Sequence, residues 1–414
     1  MPTTNESICP EEHCTGCAAC ANACPVRCIR MEEDGYGELH PQIDVTRCIK
    51  CGLCERTCPV QHPPCFRTPL SVHAVWNTDP IGRRFCASAG IGTLLARQVV
   101  EQQGGIAWGT RYDENGDAVT AAAETVQELP AFSGSKYVQS TVTNDTFRRV
   151  KAQIETGRAV LFTGTPCQVA GLLGVLRKDY DNLLTVDVIC HGTCPMRYLR
   201  EEVAHQRSKH HLPRITDVRF RGNDGNDFVF TLWSGTRLLL RQPQASSYYF
   251  SGFLQGVTRR TSCLTCPFAR PERISDITIG DFIGLDAEVL ARHPRQGNVS
   301  SVFLNTAKGR SAYSALLRQY PVLRDEPRDY AERLAYGPSL RYPFPASPLT
   351  DEFRRHLRNH DFPYAIRTVL RPQVQKVRRK EQRHRLLAPL TLFYRLPRKM
   401  VRLLLSHFRP RPPA

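Results

Sequence analysis

Eight cysteines near the start of the chain fall into one spacing used twice. Cys14, Cys17, Cys20 and Cys24 are separated by two, two and three residues and followed by Pro25; Cys48, Cys51, Cys54 and Cys58 repeat the pattern 34 residues later and end on Pro59. Thiolates are soft ligands. Three of them at two-residue intervals offer one face of an iron–sulfur cube, and the fourth cysteine of each run crosses to the other cube. The expected ligand sets are therefore Cys14, Cys17, Cys20 and Cys58 for one [4Fe-4S] cluster and Cys48, Cys51, Cys54 and Cys24 for a second. Zinc is the rival, but it takes four ligands in a tetrahedron and has no use for the third close spacing. The chemistry implied is one-electron transfer.

A second set of cysteines lies far downstream: Cys167, Cys190, Cys194, Cys263 and Cys266. The Cys263-x2-Cys266 pair is a two-ligand bite. The sequence around the others predicts a buried strand at 160–163, a helix at 168–177, a strand at 183–189 and a helix at 196–206. Strands joined by helical crossovers run parallel, so both strand ends point to one sheet edge, where ligands of open α/β sheets gather. Cys167 and Cys190 stand just past those ends. A third [4Fe-4S] cluster on Cys167, Cys190, Cys263 and Cys266 fits this placement. Spacing alone leaves open zinc on Cys190, Cys194, Cys263 and Cys266, a redox dithiol, and unrelated buried thiols.

The elements that must position these residues can be read around them. The chain has 414 residues, 41% of them hydrophobic, enough for two or three domains. A ferredoxin-like two-cluster α+β module occupies 1–62, and a Pro-containing connector at 61–69 leads out of it. Strand 71–76, helix 93–103, strand 106–112, a turn at 114–117, strand 136–140 and helix 144–155 then read as α/β grammar. Alternating strands follow over 215–241 with a Gly-Asn-Asp-Gly turn, then strands at 276–281 and 301–305 and a helix at 311–320. The expected fold is the module, an α/β domain with a partly parallel sheet at 70–345, and a basic amphipathic tail at 346–414, helical or disordered.

Charge is concentrated in that tail. The net charge is +17, and residues 354–414 carry +15 of it, with 14 Arg and 3 Lys against Asp361 and Glu381. Apolar residues are interleaved there, among them Leu386, Leu387, Leu390, Phe393, Val401, Leu403 and Phe408. This pattern suits a solvated tail, peripheral contact with a membrane surface, or a protein partner; no nucleic acid is expected. The first residues, MPTTNESICPEEH, show no basic-plus-apolar leader, and no apolar run reaches eighteen residues. The expected compartment is the reducing cytoplasm, or the inner membrane surface if the tail docks there, with thiolate ligands rather than disulfides.

Five motifs in order resemble the coenzyme F420 hydrogenase/dehydrogenase beta-subunit family: Gly134-Ser-Lys-Tyr-Val-Gln-Ser140, Gly164-Thr-Pro-Cys-Gln168, Cys190-His-Gly192, the Arg260-x2-Cys-x2-Cys-Pro-Phe stretch with Ser275-Asp-Ile-Thr-Ile-Gly-Asp281, and Asn305-Thr-x2-Gly309. The resemblance covers about 70–310. It implies an iron–sulfur flavoprotein oxidoreductase that moves electrons between clusters, FAD and a redox partner protein or soluble electron carrier. Members include deazaflavin-dependent oxidoreductases, a plant chlorophyll-derivative reductase and proteins linked to bacterial surface polysaccharide synthesis.

Carried over residue by residue, the family's inner cluster falls on Cys167, Cys190, Cys263 and Cys266. Thr193-Cys194-Pro195-Met196 departs from the family pattern and makes Cys194 a competing ligand or a nearby thiol. The resemblance also implies Gly90, Gly92, Ser135, Lys136, Tyr137 and Ser140 as flavin neighbours, with Lys136 facing a pyrophosphate. Gly90-x-Gly92 is not a full G-x-G-x-x-G, because the sixth position is Leu95, and Cys86, Ala87 and Ala89 stand where relatives carry serines. His191 is a candidate proton donor or a structural histidine. The rival reading of the whole chain is a non-catalytic electron-transfer adaptor for a partner enzyme.

Overall fold

The computed structural model describes residues 8–222, 228–292 and 299–395. Residues 223–225 of the expected turn and the tail beyond 395 therefore lie outside the described residues. The N-terminal module consists of α1 (Ala19–Ala23), a hairpin of β1 (Ile29–Glu33) and β2 (Leu39–Ile43), and α2 (Leu53–Arg56). Its core is built on cysteines rather than hydrocarbon. Cys14, Cys20, Cys24, Cys28 and Cys58 are buried together with Ile8, Ala21 and Ile29.

The larger domain opens with β3 (Ser71–Asn77), α3 (Ile91–Arg97), β4 (Ile106–Tyr112), β5 (Ala118–Ala123), α4 (Thr146–Glu155), β6 (Val160–Gly164), α5 (Pro166–Leu176), β7 (Leu183–Val188) and α6 (Met196–Lys209). A three-stranded antiparallel sheet follows, β8 (Asp217–Arg221), β9 (Phe228–Ser234) and β10 (Arg237–Pro243), then α7 (Tyr248–Leu254). The main sheet is completed by β11 (Ile277–Asp281), β12 (Ser300–Leu304) and β13 (Leu323–Arg328) in the order β13-β3-β12-β11-β7-β6-β4-β5. Its four central strands, β11, β7, β6 and β4, are parallel neighbours, and the strands on either side are antiparallel. β6 and β7 pair as expected, so the chain leaves both at one edge.

Local chemistry sets the start of α5. Thr165 caps it, Pro166 occupies its first turn, and the Gln168 side chain accepts from the Thr165 N–H at 3.0 Å, a reciprocal capping box. Residues 136–140 do not form the expected strand. Gly134 turns the chain with φ +81°, and the Gln139 N–H is spent on the Cys194 carbonyl at 2.8 Å instead of a strand partner. The helix expected at 93–103 changes register after Arg97 into a π-helical turn, Gln98–Gln102.

The tail boundary at 346 needs correction. α8 (Thr350–Leu357) and the first turns of a 34-residue helix, Phe362–Arg395, bury Phe353, Leu357, Phe362, Ile366, Leu370 and Val374 against Phe220, Phe230 and Phe250. The last four apolar residues recur every four positions, so they form one stripe on a helix whose other faces are basic. High overall charge masked that stripe. No helix among the described residues is long and apolar enough to cross a membrane.

The module is clamped to the domain by buried polar contacts. Arg260, 1% exposed, donates to the Cys14 carbonyl at 2.9 Å and to Gln139 at 2.8 Å. Glu38, 2% exposed, accepts from the Thr261 N–H and hydroxyl and from Arg354. Arg148 donates to the Cys24 and Asn22 carbonyls. On α5, Gly171 and Gly174 follow Cys167 at helical spacing and face the module: a Cβ on Gly171 would stand 3.1 Å from Cys17 Sγ, and one on Gly174 would stand 2.5 Å from the Thr57 carbonyl.

Candidate functional site

Both cysteine runs bend in the same way. The residues on each side of the second cysteine, Gly16 and Ala18 in the first run and Lys50 and Gly52 in the second, all have φ between +54° and +68°. Ala18 and Lys50 adopt that left-handed conformation at a cost of about 1 kcal/mol each, so the loop shape is imposed by the surroundings. Cys14, Cys17, Cys20 and Cys58 line one cavity of about 320 Å³, and Cys17, Cys20 and Cys58 lie close enough to feel one another's charge. Cys24, Cys48 and Cys54 form a second group in the same sense. Cys51, their neighbour in the run, is exposed.

The sheet edge brings the remaining ligand candidates together. Cys167 on the first turn of α5, Cys190 after β7, and Cys263 and Cys266 all line one cleft of about 690 Å³, part of it open to solvent. Arg273 holds this assembly in place. Its guanidinium pairs with Asp187 at 2.9 Å, both groups buried, and donates to the Val188, Phe268 and Arg270 carbonyls, tying the loop after Cys266 to the end of β7. Burial pushes the Asp187 carboxyl up from its ordinary value despite that partner. Burial also lifts the thiols of Cys167 and Cys190, and that of Cys266 to about 12.

Cys194 is not part of this pocket. It is fully buried and spends its thiol on the Tyr249 hydroxyl at 2.9 Å and the Tyr137 carbonyl at 3.2 Å. The zinc set built on Cys194 therefore does not assemble. Tetrahedral zinc with bonds of about 2.3 Å would also draw its sulfurs to about 3.8 Å from one another. Among the described residues, the one trio of metal-binding side chains within 4.8 Å is Glu11, Asp34 and His40, with no cysteine in it. The four-cysteine sets are spaced more widely than a single zinc ion requires.

Thr15 borders both cavities, and Cys17 lies near enough to Cys167 to raise its own thiol's proton affinity. The module's inner pocket and the sheet-edge pocket are thus neighbours across one residue.

The expected flavin residues divide into two places. Ser140 and His191 line the sheet-edge cleft. The Ser140 hydroxyl accepts from Gln168 at 2.9 Å, and burial lowers the His191 imidazole below its ordinary value, so it is neutral at pH 7. Ser135, Lys136 and Tyr137 lie beside β8. The Tyr137 hydroxyl accepts from Arg221 at 3.1 Å, and Arg221 in turn pairs with Asp281 at 2.5 Å. The Lys136 ammonium is buried, donates to the Ser133 carbonyl at 3.3 Å, and is held down to about 8 by burial.

Gly90 opens α3 with φ +80°, while Gly92 lies against β11, where a Cβ would stand 3.2 Å from Ile279. Gly92 is therefore a packing residue. The loop before α3 still reaches the Lys136 group: the Phe85 carbonyl would stand 3.0 Å from a Cβ on Gly134, and Arg219 stacks on the Phe85 ring at 3.8 Å. Arg219 Nη1 and Arg221 Nε and Nη1 are buried there without a hydrogen-bond partner. Orphaned guanidinium donors beside a buried lysine fit an anionic group such as a flavin diphosphate. Sequence reasoning missed both arginines, although they stand two apart on one face of a strand.

Residues 157–326 match the family described as the C terminus of the coenzyme F420 hydrogenase/dehydrogenase beta subunit, and residues 13–62 match the 4Fe-4S dicluster domain. A 7Fe ferredoxin of Hydrogenibacillus schlegelii is 47% identical over 51 residues, 12% of this chain and 59% of that protein. Subunit I of the NADH-quinone oxidoreductase of Pelobacter propionicus is 39% identical over 54 residues, 11% of this chain and 29% of the subunit. An uncharacterized protein of Porphyra purpurea is 42% identical over 53 residues, 12% of this chain and 69% of its own length. Among solved structures, a chain of the F420-reducing [NiFe] hydrogenase complex of Methanosarcina barkeri aligns with a TM-score of 0.43 and 15% identity over 75% of this chain and 91% of that one. With [4Fe-4S] sites in its dicluster domain, the chain is an iron–sulfur electron-transfer protein.

Proposed function

We propose, for a chain that belongs to the coenzyme F420 hydrogenase/dehydrogenase beta-subunit family and carries a 4Fe-4S dicluster domain, the function of an iron–sulfur flavoprotein oxidoreductase. The observation that carries this reading is the sheet-edge cleft, where Cys167, Cys190, Cys263 and Cys266 converge one residue away from the cavity of Cys14, Cys17, Cys20 and Cys58. Twelve cysteines then form three sites in a row. Their exposure differs: Cys51 is exposed and Cys48 and Cys54 are half-buried, Cys14, Cys17, Cys20 and Cys58 are buried, and the four cleft cysteines are half-buried. The site of Cys48, Cys51 and Cys54 suits contact with a redox partner, and the sheet-edge cleft, partly open to solvent, suits entry of a substrate or carrier.

Clusters supply one-electron steps, and a flavin would convert these into two-electron chemistry. The residues suited to a flavin are Lys136, Arg219 and Arg221 for its phosphates, with Ser140 and His191 on the cleft side. His191, neutral at pH 7, can accept or donate one proton at its ring nitrogen. Arg260 and Arg259 sit beside the cleft and would offset the negative charge of a thiolate-bound cluster; Arg259 donates to the His191 carbonyl at 2.7 Å.

One observation favours the adaptor reading: Gly92 packs on Ile279, which leaves the first turn of α3 less suited to a diphosphate. Anaerobic purification with iron, sulfide and flavin quantitation separates the two. The flavoprotein reading expects about twelve irons and one flavin per chain; about twelve irons with no flavin favours the adaptor, and about eight irons removes the inner site.

A further inference from the structure

The dicluster module contains two more cysteines than its two cubes need, and both lie against ligand candidates. Cys9 is buried and lines the same cavity as Cys14, Cys17, Cys20 and Cys58, with its thiol near those of Cys14 and Cys58. Cys28 is buried as well; its sulfur is 3.4 Å from that of Cys24, its N–H donates to the same sulfur at 3.4 Å, and Cys48 is its other neighbour. Each extra thiol thus lies beside the first ligand of one run and the ligand that crosses over from the other run.

Buried cysteines often serve as small hydrophobic residues, and one such contact would mean little. The two positions, however, are not copies of each other. Shifting by the 34-residue repeat places Ile43 opposite Cys9 and His62 opposite Cys28. Duplication of the cysteine run therefore does not account for the extra thiols, yet both arrive at the same relation to a cube: the first ligand and the crossing ligand.

We propose that Cys9 and Cys28 are reserve ligands, each able to take the place of the crossing cysteine at its own cluster, Cys58 and Cys24 respectively. The inference rests on the reading of these sets as [4Fe-4S] sites. At Cys28 the geometry permits the exchange without moving the backbone. A cysteine sulfur hangs on a single torsion, and one 120° step between staggered positions moves it about 3 Å, comparable to the 3.4 Å that separates Cys28 from Cys24. In the exchange, the iron loses the thiolate of the crossing cysteine and gains that of the reserve cysteine, whose thiol proton passes to the released thiolate; no electron is transferred. The cube keeps four thiolates throughout.

Iron, sulfide and low-temperature EPR spectra of the dithionite-reduced, anaerobically purified full chain test this. Wild type is measured first: fewer than about eight irons per chain would defeat the cluster reading itself, apart from the reserve ligands. Given a full complement, Cys9→Ala and Cys28→Ala should keep all the iron. Cys58→Ala should also keep it, with shifted EPR lines from the new ligand, while Cys9→Ala/Cys58→Ala should lose about four irons. Loss of about four irons from Cys58→Ala alone would overturn the assignment for Cys9. Cys24→Ala against Cys24→Ala/Cys28→Ala repeats the comparison at the other site and decides the matter if the Cys58 variants fail to fold.

Discussion

Gly174→Ala tests whether the face of α5 sets the distance between the dicluster module and the sheet-edge site. Replacing glycine by alanine inside a helix normally stabilises by about 1 kcal/mol. Here the new Cβ would meet the Thr57 carbonyl oxygen at 2.5 Å, against about 3.4 Å for ordinary contact. Backbone cannot swing aside as a side chain can, so the segment carrying Thr57 and Cys58 must retreat by about 0.9 Å. Overpacking of this kind costs about 1–3 kcal/mol, which exceeds the propensity gain by up to about 2 kcal/mol. The variant should melt below wild type. It should also weaken the magnetic coupling between the reduced inner sites in EPR and slow the freeze-quenched reduction of the sheet-edge site by an external donor. A variant that melts above wild type, with unchanged coupling and kinetics, would refute the docking argument and leave Gly174 as an ordinary helical glycine.

Other substitutions separate the roles assigned above. Cys167→Ala should lower the iron content by about four, whereas Cys194→Ser should leave it unchanged, because the Cys194 thiol is committed to Tyr249 and Tyr137; iron analysis of both decides the fourth ligand. Lys136→Met should release flavin while the clusters remain reducible by dithionite, as read from the flavin absorbance after desalting. In flavin-free protein, the Lys136 ammonium has its pKa lowered from 10.5 to about 8, so between those values the unfolded chain holds the proton that the folded chain has lost. Denaturant titrations should then show stability rising from pH 8 to 10.5 by up to about 3 kcal/mol, a rise that Lys136→Met abolishes. Truncation after Lys380 should fold and retain its iron, while truncation after Leu349 should give insoluble protein, since it removes Phe353, Phe362, Ile366 and Leu370 from the core. If the basic tail contacts membranes, the Lys380 truncation should bind anionic vesicles less than the full chain at low salt and equally at high salt.

Spacing carried the ligand sets a long way. A thiolate run with fixed intervals is a local signal, and the strand–helix–strand order around Cys167 and Cys190 placed both at one edge because parallel crossovers leave little choice. Cys194 could not be sorted from Cys190 by spacing, because its fate depends on the Tyr249 hydroxyl, 55 residues away in sequence. Arg219 and Arg221 were missed for the same reason: one strand shows two basic residues, and only the fold shows that Lys136, from a loop 83 residues before Arg219, arrives beside them. The tail was expected as basic, amphipathic and helical or disordered, and it is helical through Arg395, but its first part, to Val374, packs into the core because its apolar stripe was outweighed by composition. A stripe of Phe362, Ile366, Leu370 and Val374 among arginines averages to a polar segment unless it is read at helical period.

One short helix, α5, reconciles the local and the long-range features of the site. Its capped N-terminus projects Cys167 at the sheet edge, where Thr165 Oγ1 lies 3.1 Å from the Cys167 sulfur. Gln168, the other half of the cap, reaches Ser140 and so draws the loop after Tyr137 toward the same cleft. One and two turns further on, Gly171 and Gly174 remove the side chains that would keep Cys17 and Thr57 away. A helix carrying large residues at those two positions could still present Cys167, but the dicluster module would stand farther off and Thr15 could not border both cavities. The motif Gly164-Thr-Pro-Cys-Gln168 therefore places one ligand of the proposed sheet-edge site, and the two glycines that follow it fix how near the dicluster module can come.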